Sequence, residues 1–209
     1  MKIILLGAPG SGKGTQAQEI TKSYGLPHIS TGDIFRSNIK NMTPLGVKVK
    51  ALMEEGKLCP DDITIALVKD RLSEPDCKNG YLLDGFPRDL NQARALDEFA
   101  APDLVVDIDV DLTLIERRIT GRRSCPKCGG TFHIDNIGDT KICPICGAEL
   151  VTRKDDNPET VKDRLSVYER QTKPLEEFYG KQGKLAKVNG NLAVTEVFSE
   201  IKKILDDNR

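Results

Sequence analysis

At 209 residues the chain is long enough for one well-buried core and too short for two full-sized domains. Lys+Arg at 31 against Asp+Glu at 32 leave a formal net charge of -1, so no global field draws it to nucleic acid or to an anionic membrane, and a bound anion must be held by a local cluster. No stretch approaches the roughly 20 apolar residues that span a bilayer, and Met1 to Leu6 is too short for a signal-peptide apolar region, so a cytoplasmic location is expected. In that reducing setting six cysteines point to a metal site before they point to disulfides.

In chain order, Ile3 to Leu6 reads as a strand buried on both faces, and Gly14 to Tyr24 as the helix that follows it. Residues 30–59 carry helical patterns broken at Met42-Thr43-Pro44-Leu45. Helices are predicted over Asp61 to Leu72, Asn91 to Phe99 and Leu112 to Ile119, and strands over Tyr81 to Leu83, Leu104 to Val110 and Leu185 to Val188. Residues 121–156 hold four cysteines and many glycines with little helical periodicity, after which Asn157-Pro158-Glu159 supplies a cap, a first-turn proline and an early acid for a further helix. Val194, Val197, Phe198, Ile201, Ile204 and Leu205 recur at three and four residues and lay one apolar stripe along the last helix. Alternating strands and helices predict a doubly wound α/β sheet, with 1–29, 60–120 and 157–209 as the core and with 30–59 and 121–156 as insertions.

The sharpest motif is Gly7-Ala8-Pro9-Gly10-Ser11-Gly12-Lys13-Gly14-Thr15, set between a strand and a helix. Its glycines let backbone N–H groups converge on a phosphate, the helix N-terminus adds partial positive charge, and Lys13 completes the cradle. Gly14 stands where a hydroxyl residue usually follows the lysine, and Thr15 comes one place later. Cys125-Pro126-Lys127-Cys128-Gly129 and Cys143-Pro144-Ile145-Cys146-Gly147 are two metal knuckles with 14 residues between them, which suits a closed, structural all-thiolate site for zinc or iron. Arg117, Arg118, Arg122 and Arg123 crowd one helix end, where Arg118 and Arg122 share a face if the helix runs on. A solvated basic helix end is the alternative. Thr31 before a helical pattern is a candidate cap, Asp84 closes a strand at the edge where such folds bind ligands, and Cys59 and Cys77 are read as small apolar residues.

The phosphate loop, with Ser30-Thr31-Gly32-Asp33-Ile34-Phe35-Arg36 and Leu83-Asp84-Gly85-Phe86-Pro87-Arg88, resembles the motifs of the adenylate kinases, nucleoside monophosphate kinases with a P-loop. The likeness runs nearly the whole chain and matches the bacterial long-lid form with a four-cysteine metal site. It implies a five-stranded parallel sheet, with 30–59 as an AMP-binding insertion and 121–156 as a lid. It also implies Mg²⁺-dependent transfer between ATP and AMP giving two ADP, in a monomer with no nucleic-acid or membrane partner.

By the same resemblance, Gly10, Ser11, Gly12, Lys13, Gly14, Thr15, Arg122, Thr131, Phe132 and Leu192 meet ATP. Thr31, Arg36, Lys57, Leu58, Cys59, Gly85, Phe86, Pro87, Arg88, Gln92, Arg153 and Arg164 meet AMP. Asp84 stands near the metal-nucleotide, and Lys13, Arg88, Arg118, Arg122, Arg153 and Arg164 surround the transferred phosphoryl group. The rivals are a kinase for another nucleoside monophosphate and, from a different class, a nucleic-acid-binding cysteine ribbon beside a P-loop switch. The neutral charge and the lack of aromatics along a basic stripe count against the second.

Overall fold

The computed structural model describes residues 1–208. In chain order the elements of the first half are β1 (Lys2–Leu6), α1 (Lys13–Tyr24), β2 (His28–Ser30), α2 (Thr31–Lys40), α3 (Pro44–Glu54), α4 (Asp61–Leu72), β3 (Tyr81–Asp84) and α5 (Leu90–Ala100). The second half adds β4 (Leu104–Asp109), α6 (Ile115–Thr120), β5 (Arg122–Ser124), β6 (Thr131–His133), α7 (Ile134–Ile137), α8 (Pro158–Val167), α9 (Pro174–Lys181), β7 (Leu185–Asn189) and α10 (Val194–Asp207), with a π-helical turn at Tyr168–Thr172 between α8 and α9.

Five parallel strands stand in the order β2-β3-β1-β4-β7. β1 alternates across the sheet: Ile3 and Leu5 join one buried cluster with Ala17, Ile20, Val106, Ile201 and Leu205. Ile4 and Leu6 join the other with Ile29, Leu83, Phe86, Leu96, Leu175 and Tyr179. A strand covered on both faces needs a continuous apolar run, which is why Ile3 to Leu6 carries no polar residue. The stripe on α10 buries Val197, Ile201 and Leu205, while Val194 at its first position stays 46% exposed.

Four strands lie where the apolar runs predict them, and β2 is the fifth. With three residues, its pattern is too short to read as a strand alone, and pairing of Ile29 with Leu83 and of Ser30 with Asp84 makes it one. That register sets Ser30, Asp84 and Leu5 level at the carboxyl edge. Because β1 lies between β3 and β4, the crossovers diverge there and leave the crevice in which open α/β sheets bind ligands.

Two segments stand on this edge. α2 and α3 pack on each other around Phe35, Val49 and Cys59, with Ile39, Leu45 and Met53 alongside. Thr43, whose hydroxyl accepts from Gly46 N at 3.0 Å, caps α3 at the predicted break. Between α6 and α8 come the two-stranded β5–β6 ribbon and α7, around Cys125, Cys143 and Leu150. α8 opens on the predicted cap, with Asn157 Oδ1 accepting from Thr160 N at 2.9 Å and Pro158 at the first turn. Among the described residues no helix is long and apolar enough to cross a membrane.

Candidate active site

β1 ends at Leu6 and the chain turns through Gly7 (φ 135°) and Gly10 (φ 78°) into α1. A Cβ on Gly7 would lie 2.6 Å from the Ile108 carbonyl oxygen and one on Gly10 2.7 Å from Ile119 Cγ1, so glycine is required by space as well as by φ. Lys13 is folded back over this loop, its Nζ donating to the carbonyls of Gly7 at 2.7 Å and Ala8 at 2.8 Å. Burial lowers its pKa to about 8, against the pull of Asp84 and with help from Arg88 and Arg164. The ammonium is thus held short of water, in a place where an anionic ligand would further favour the charged form.

Asp84, at the end of β3, faces the start of α1: a Cβ on Gly14 would meet its Oδ2 at 3.9 Å. Burial acts to raise the Asp84 carboxyl, yet His28, whose Nε2 is 3.3 Å from Oδ2, together with Lys13 and Arg88 holds it below the usual range. His28 sits on β2 and lines the same cavity, a neighbour that the sequence did not single out.

Arg88 is buried and held from its own segment. Its Nε donates to Gly85 O at 2.8 Å, its backbone N donates to Gln92 Oε1 at 2.9 Å, and its carbonyl accepts from Thr172 Oγ1 at 2.7 Å. Burial depresses its pKa, and Arg36 adds to this. Thr31 does not cap α2. Ser30 does, its hydroxyl accepting from Asp33 N at 3.3 Å, and Thr31 Oγ1 instead donates to Gly85 O at 2.8 Å, tying the first turn of α2 to the loop that carries Arg88. The Phe86–Pro87 peptide in that loop is cis.

The arginines arrive from several elements. α6 stops at Thr120, and the Gly121 carbonyl that follows accepts from Ile134 N at 3.0 Å. The helix therefore does not continue through Arg122, and Arg118 and Arg122 do not share a helix face: Arg122 opens β5. The Arg118 fork donates from both terminal nitrogens to Gly190 O at 3.0 Å, close in sequence to Leu192. Arg122 makes a two-pronged pair with Asp156 through Nε and a terminal nitrogen, and Arg164 reaches Asp155 Oδ2 at 2.9 Å and Asp156 Oδ1 at 3.4 Å. Arg153 donates to Ser124 Oγ at 3.0 Å. Burial, then Arg36 and Arg122, lower its pKa to about 10. Arg36 pairs with Asp33 at 2.6 Å. Arg117 also lines the cavity, paired with Asp135, while Arg123 stays outside it on local carbonyls.

These groups share one cavity of about 730 Å³. It brings together Gly10 to Thr15, Asp84, Gly85, Pro87 and Arg88 with Thr31, Arg36, Lys57, Leu58, Cys59 and Gln92. From the other side come Arg118, Arg122, Thr131, Phe132, Arg153, Arg164 and Leu192. Phe86 is the one expected site residue that stays out of the lining; it is fully buried against Leu83, Ala93 and Leu175, a packing residue of the sheet. Gln92 lines the cavity with its amide already engaged, Oε1 by Arg88 N and Nε2 by Asp61 Oδ1 at 2.8 Å. The carboxylates that order the arginines, Asp33, Asp155 and Asp156, were missed. The signal in the sequence is the pair of adjacent acids beside an arginine in Arg153-Lys154-Asp155-Asp156.

A family model described as adenylate kinase matches residues 5–184. The chain belongs to the adenylate kinase family. Proteins named adenylate kinase from Clostridium perfringens (strain SM101 / Type A) and Clostridium beijerinckii are 52% and 51% identical to it over 216 residues, covering all of both chains. One from Clostridium tetani is 53% identical over 212 residues, 98% of each chain. As a member of this family the chain is an enzyme of the nucleoside monophosphate kinase class.

Of the four clustered cysteines, Cys128 also lines the cavity. No disulfide links them, and the sulfurs of Cys125, Cys128, Cys143 and Cys146 lie within 4.8 Å of one another, 3.4 Å for Cys125–Cys146 and 3.6 Å for Cys128–Cys143. A tetrahedral ion bound to four sulfurs at ~2.3 Å sets them about 3.8 Å apart, so the donor set fits a metal. The knuckles repeat one backbone pattern, Cys125 N to Gly130 O at 2.8 Å with Gly129 N to Cys125 O at 3.0 Å, and Cys143 N to Ala148 O at 2.7 Å with Gly147 N to Cys143 O at 2.9 Å. His133 is outside the cluster, its ring between the Arg117 carbonyl and Asp135. The ribbon reaches back to the core, where Gln18 Nε2 donates to Gly129 O at 3.1 Å, and to α3, where Lys154 meets Glu54 at 3.1 Å.

Proposed function

We propose that this enzyme transfers the terminal phosphoryl group of ATP to AMP, reversibly and with Mg²⁺, giving two ADP. The observation that carries this reading is the convergence, in one cavity, of a phosphate loop with Arg36, Arg88, Arg118, Arg122, Arg153 and Arg164 from separate elements, flanked by two places for a base. At one end Gly190, Arg118 and Leu192 would take the donor adenine; at the other Thr31, Leu58, Cys59 and Gln92 would take the acceptor. On this reading Arg118 serves the donor base, while Arg122, Arg153 and Arg164 serve the transferred group.

Lys13 and the loop N–H groups hold the donor phosphates, and Arg36 and Arg88 hold the acceptor phosphate, since a guanidinium fork matches phosphate oxygens where an ammonium does not. Arg122, Arg153 and Arg164 spread positive charge over the equatorial oxygens, and the buried Asp156 keeps two of those forks aimed. No covalent intermediate is required, because alignment and fixed charge supply the rate. Asp84 and Thr15 are the residues to hold Mg²⁺, which when bound neutralises charge on the phosphates of the donor. Asp84 suits that task because it is kept ionised in a dry setting.

The chain then divides into a core of 1–29, 60–120 and 157–209, an acceptor insertion of 30–59 and a lid of 121–156 whose closure excludes water as a rival acceptor. The four sulfurs hold a structural ion, zinc or, for the same donor set, iron. The enzyme works as a cytoplasmic monomer without a nucleic-acid or membrane partner, in keeping with its formal charge of -1.

A coupled assay with MgATP against AMP, UMP, CMP and GMP tests the reading: AMP is expected as the preferred acceptor, and preference for another monophosphate overturns it. Arg88→Ala should raise KM for AMP and lower kcat; an unchanged kcat/KM for AMP removes Arg88 from the acceptor site. Lys13→Gln should cost at least ~2 kcal/mol of transition-state stabilisation, and a wild-type kcat in that variant contradicts the donor assignment.

A further inference from the structure

Gln92 is 1% exposed, yet it lines the cavity. Its amide has one end that accepts and one that donates, alike in shape, and only its partners decide which way round it sits. Two partners decide it here. The Arg88 backbone N–H can only donate, so the group 2.9 Å from it is the oxygen. Asp61, the first residue of α4, offers carboxylate lone pairs 2.8 Å from the nitrogen, with Asn91 Nδ2 at 3.5 Å on its other oxygen. Neighbouring Asp89, which caps α5 by accepting from Gln92 N at 2.9 Å, has its pKa raised first by burial and further by a hydrogen bond with Asp61. One hydrogen of the Gln92 amide is therefore used by Asp61, and the second has no acceptor among the described residues.

We infer that Asp61 is a positioning residue that fixes which edge of the Gln92 amide meets the acceptor base, and thereby selects a base presenting a lone pair there over one presenting an N–H. This rests on the reading that the acceptor base lies against Gln92. Turning the amide over would set its nitrogen against the Arg88 N–H and its oxygen against the Asp61 carboxylate, two mismatches made together. Without Asp61 only one remains. Adenine carries a lone pair at N1, whereas hypoxanthine carries a hydrogen at N1 and an oxygen at C6. A fixed donor at Gln92 accepts the first and meets the N–H of the second head on, the kind of mismatch by which a hydrogen-bonding site rejects a near-isostere.

The test compares the full-length enzyme with Asp61→Asn and Asp61→Ala, measuring kcat/KM for AMP and for inosine monophosphate with MgATP, and the melting temperature of each protein. Asparagine keeps a hydrogen bond to Gln92 but pairs with either orientation, so a purely structural Asp61 predicts an Asp61→Asn enzyme like the wild type. The expected result is a preference for AMP over inosine monophosphate that falls about tenfold in Asp61→Asn and in Asp61→Ala, mainly through better use of inosine monophosphate, while Asp61→Asn melts with the wild type. An unchanged ratio in Asp61→Asn overturns the inference even if Asp61→Ala fails to fold. A wild-type enzyme that strongly prefers AMP, with variants that do so equally, removes Asp61 alone; a wild type that does not prefer AMP removes the acceptor reading and this inference together.

Discussion

The two segments standing on the carboxyl edge of the sheet are held together by different physics. The α2–α3 pair has a small apolar core of its own, Phe35, Val49 and Cys59 with Leu45, Ile39 and Met53, and its helices are capped by Ser30 and Thr43. The β5–β6 ribbon has two three-residue strands, a four-residue helix and, at its centre, Cys125, Cys143 and Leu150. Ile142 and Ile145 beside its cysteines are 53% and 66% exposed, so burial contributes little there. The first insertion stands on hydrophobic contact and the second on the ability of four sulfurs to hold an ion. Under the proposed function, in which this segment opens and closes, an ion held by the four sulfurs would keep it folded when its contacts with Gln18 and Glu54 are broken.

The largest expected effect breaks one region and spares the other. Structural ions of this type supply ~10 kcal/mol to small folds, so chelation or Cys128→Ser should abolish hydrogen-exchange protection over 122–151 while α2 and α3 keep theirs. Equal loss in both segments, or in neither, contradicts the contrast. Next comes the reverse experiment. Val49 is fully buried at the centre of the first insertion, and Val49→Ala should cost about 2 kcal/mol there without changing the metal content of the ribbon.

A third effect, a gain in place of a loss, belongs to the sheet beneath both. Asp107 on β4 is 1% exposed with one oxygen unpartnered, and its pKa is raised to about 6, first by burial and then by Glu176, against the pull of Lys187. Because the folded pKa lies above the unfolded one, the folded state takes up more protons as pH falls. The cost of the buried charge is full above pH ~6 and is relieved between about 6 and 4. Asp107→Asn should stabilise the core by roughly 2 kcal/mol at pH 7 and flatten that part of the stability profile, measured by denaturant unfolding. Neither insertion should respond, which separates core stability from theirs.

Much of the contrast was legible in the sequence. Glycine spacing, the cysteine knuckles and an apolar run between a charged start and Gly7 each reflect a local necessity, and each lies where expected. What escaped depends on distant partners. β2 is a strand because β3 is beside it, and Thr31 leaves the cap to Ser30 because Gly85 offers its carbonyl. Arg118 and Arg122 part company because α6 stops at Thr120 and β6 recruits the next residues into a ribbon. Asp155 and Asp156 were unremarkable until Arg122 and Arg164 came within reach of them. Residue types announce chemistry; their partners, which decide what each arginine is free to do, come only with the fold.

The most direct test mixes the purified, metal-loaded enzyme with MgATP and AMP and follows all phosphorus species by ³¹P NMR. A closed cavity that passes the phosphoryl group to AMP predicts two ADP formed per ATP consumed and no inorganic phosphate. ATP falling with release of phosphate, or a spectrum that AMP leaves unchanged, would contradict it.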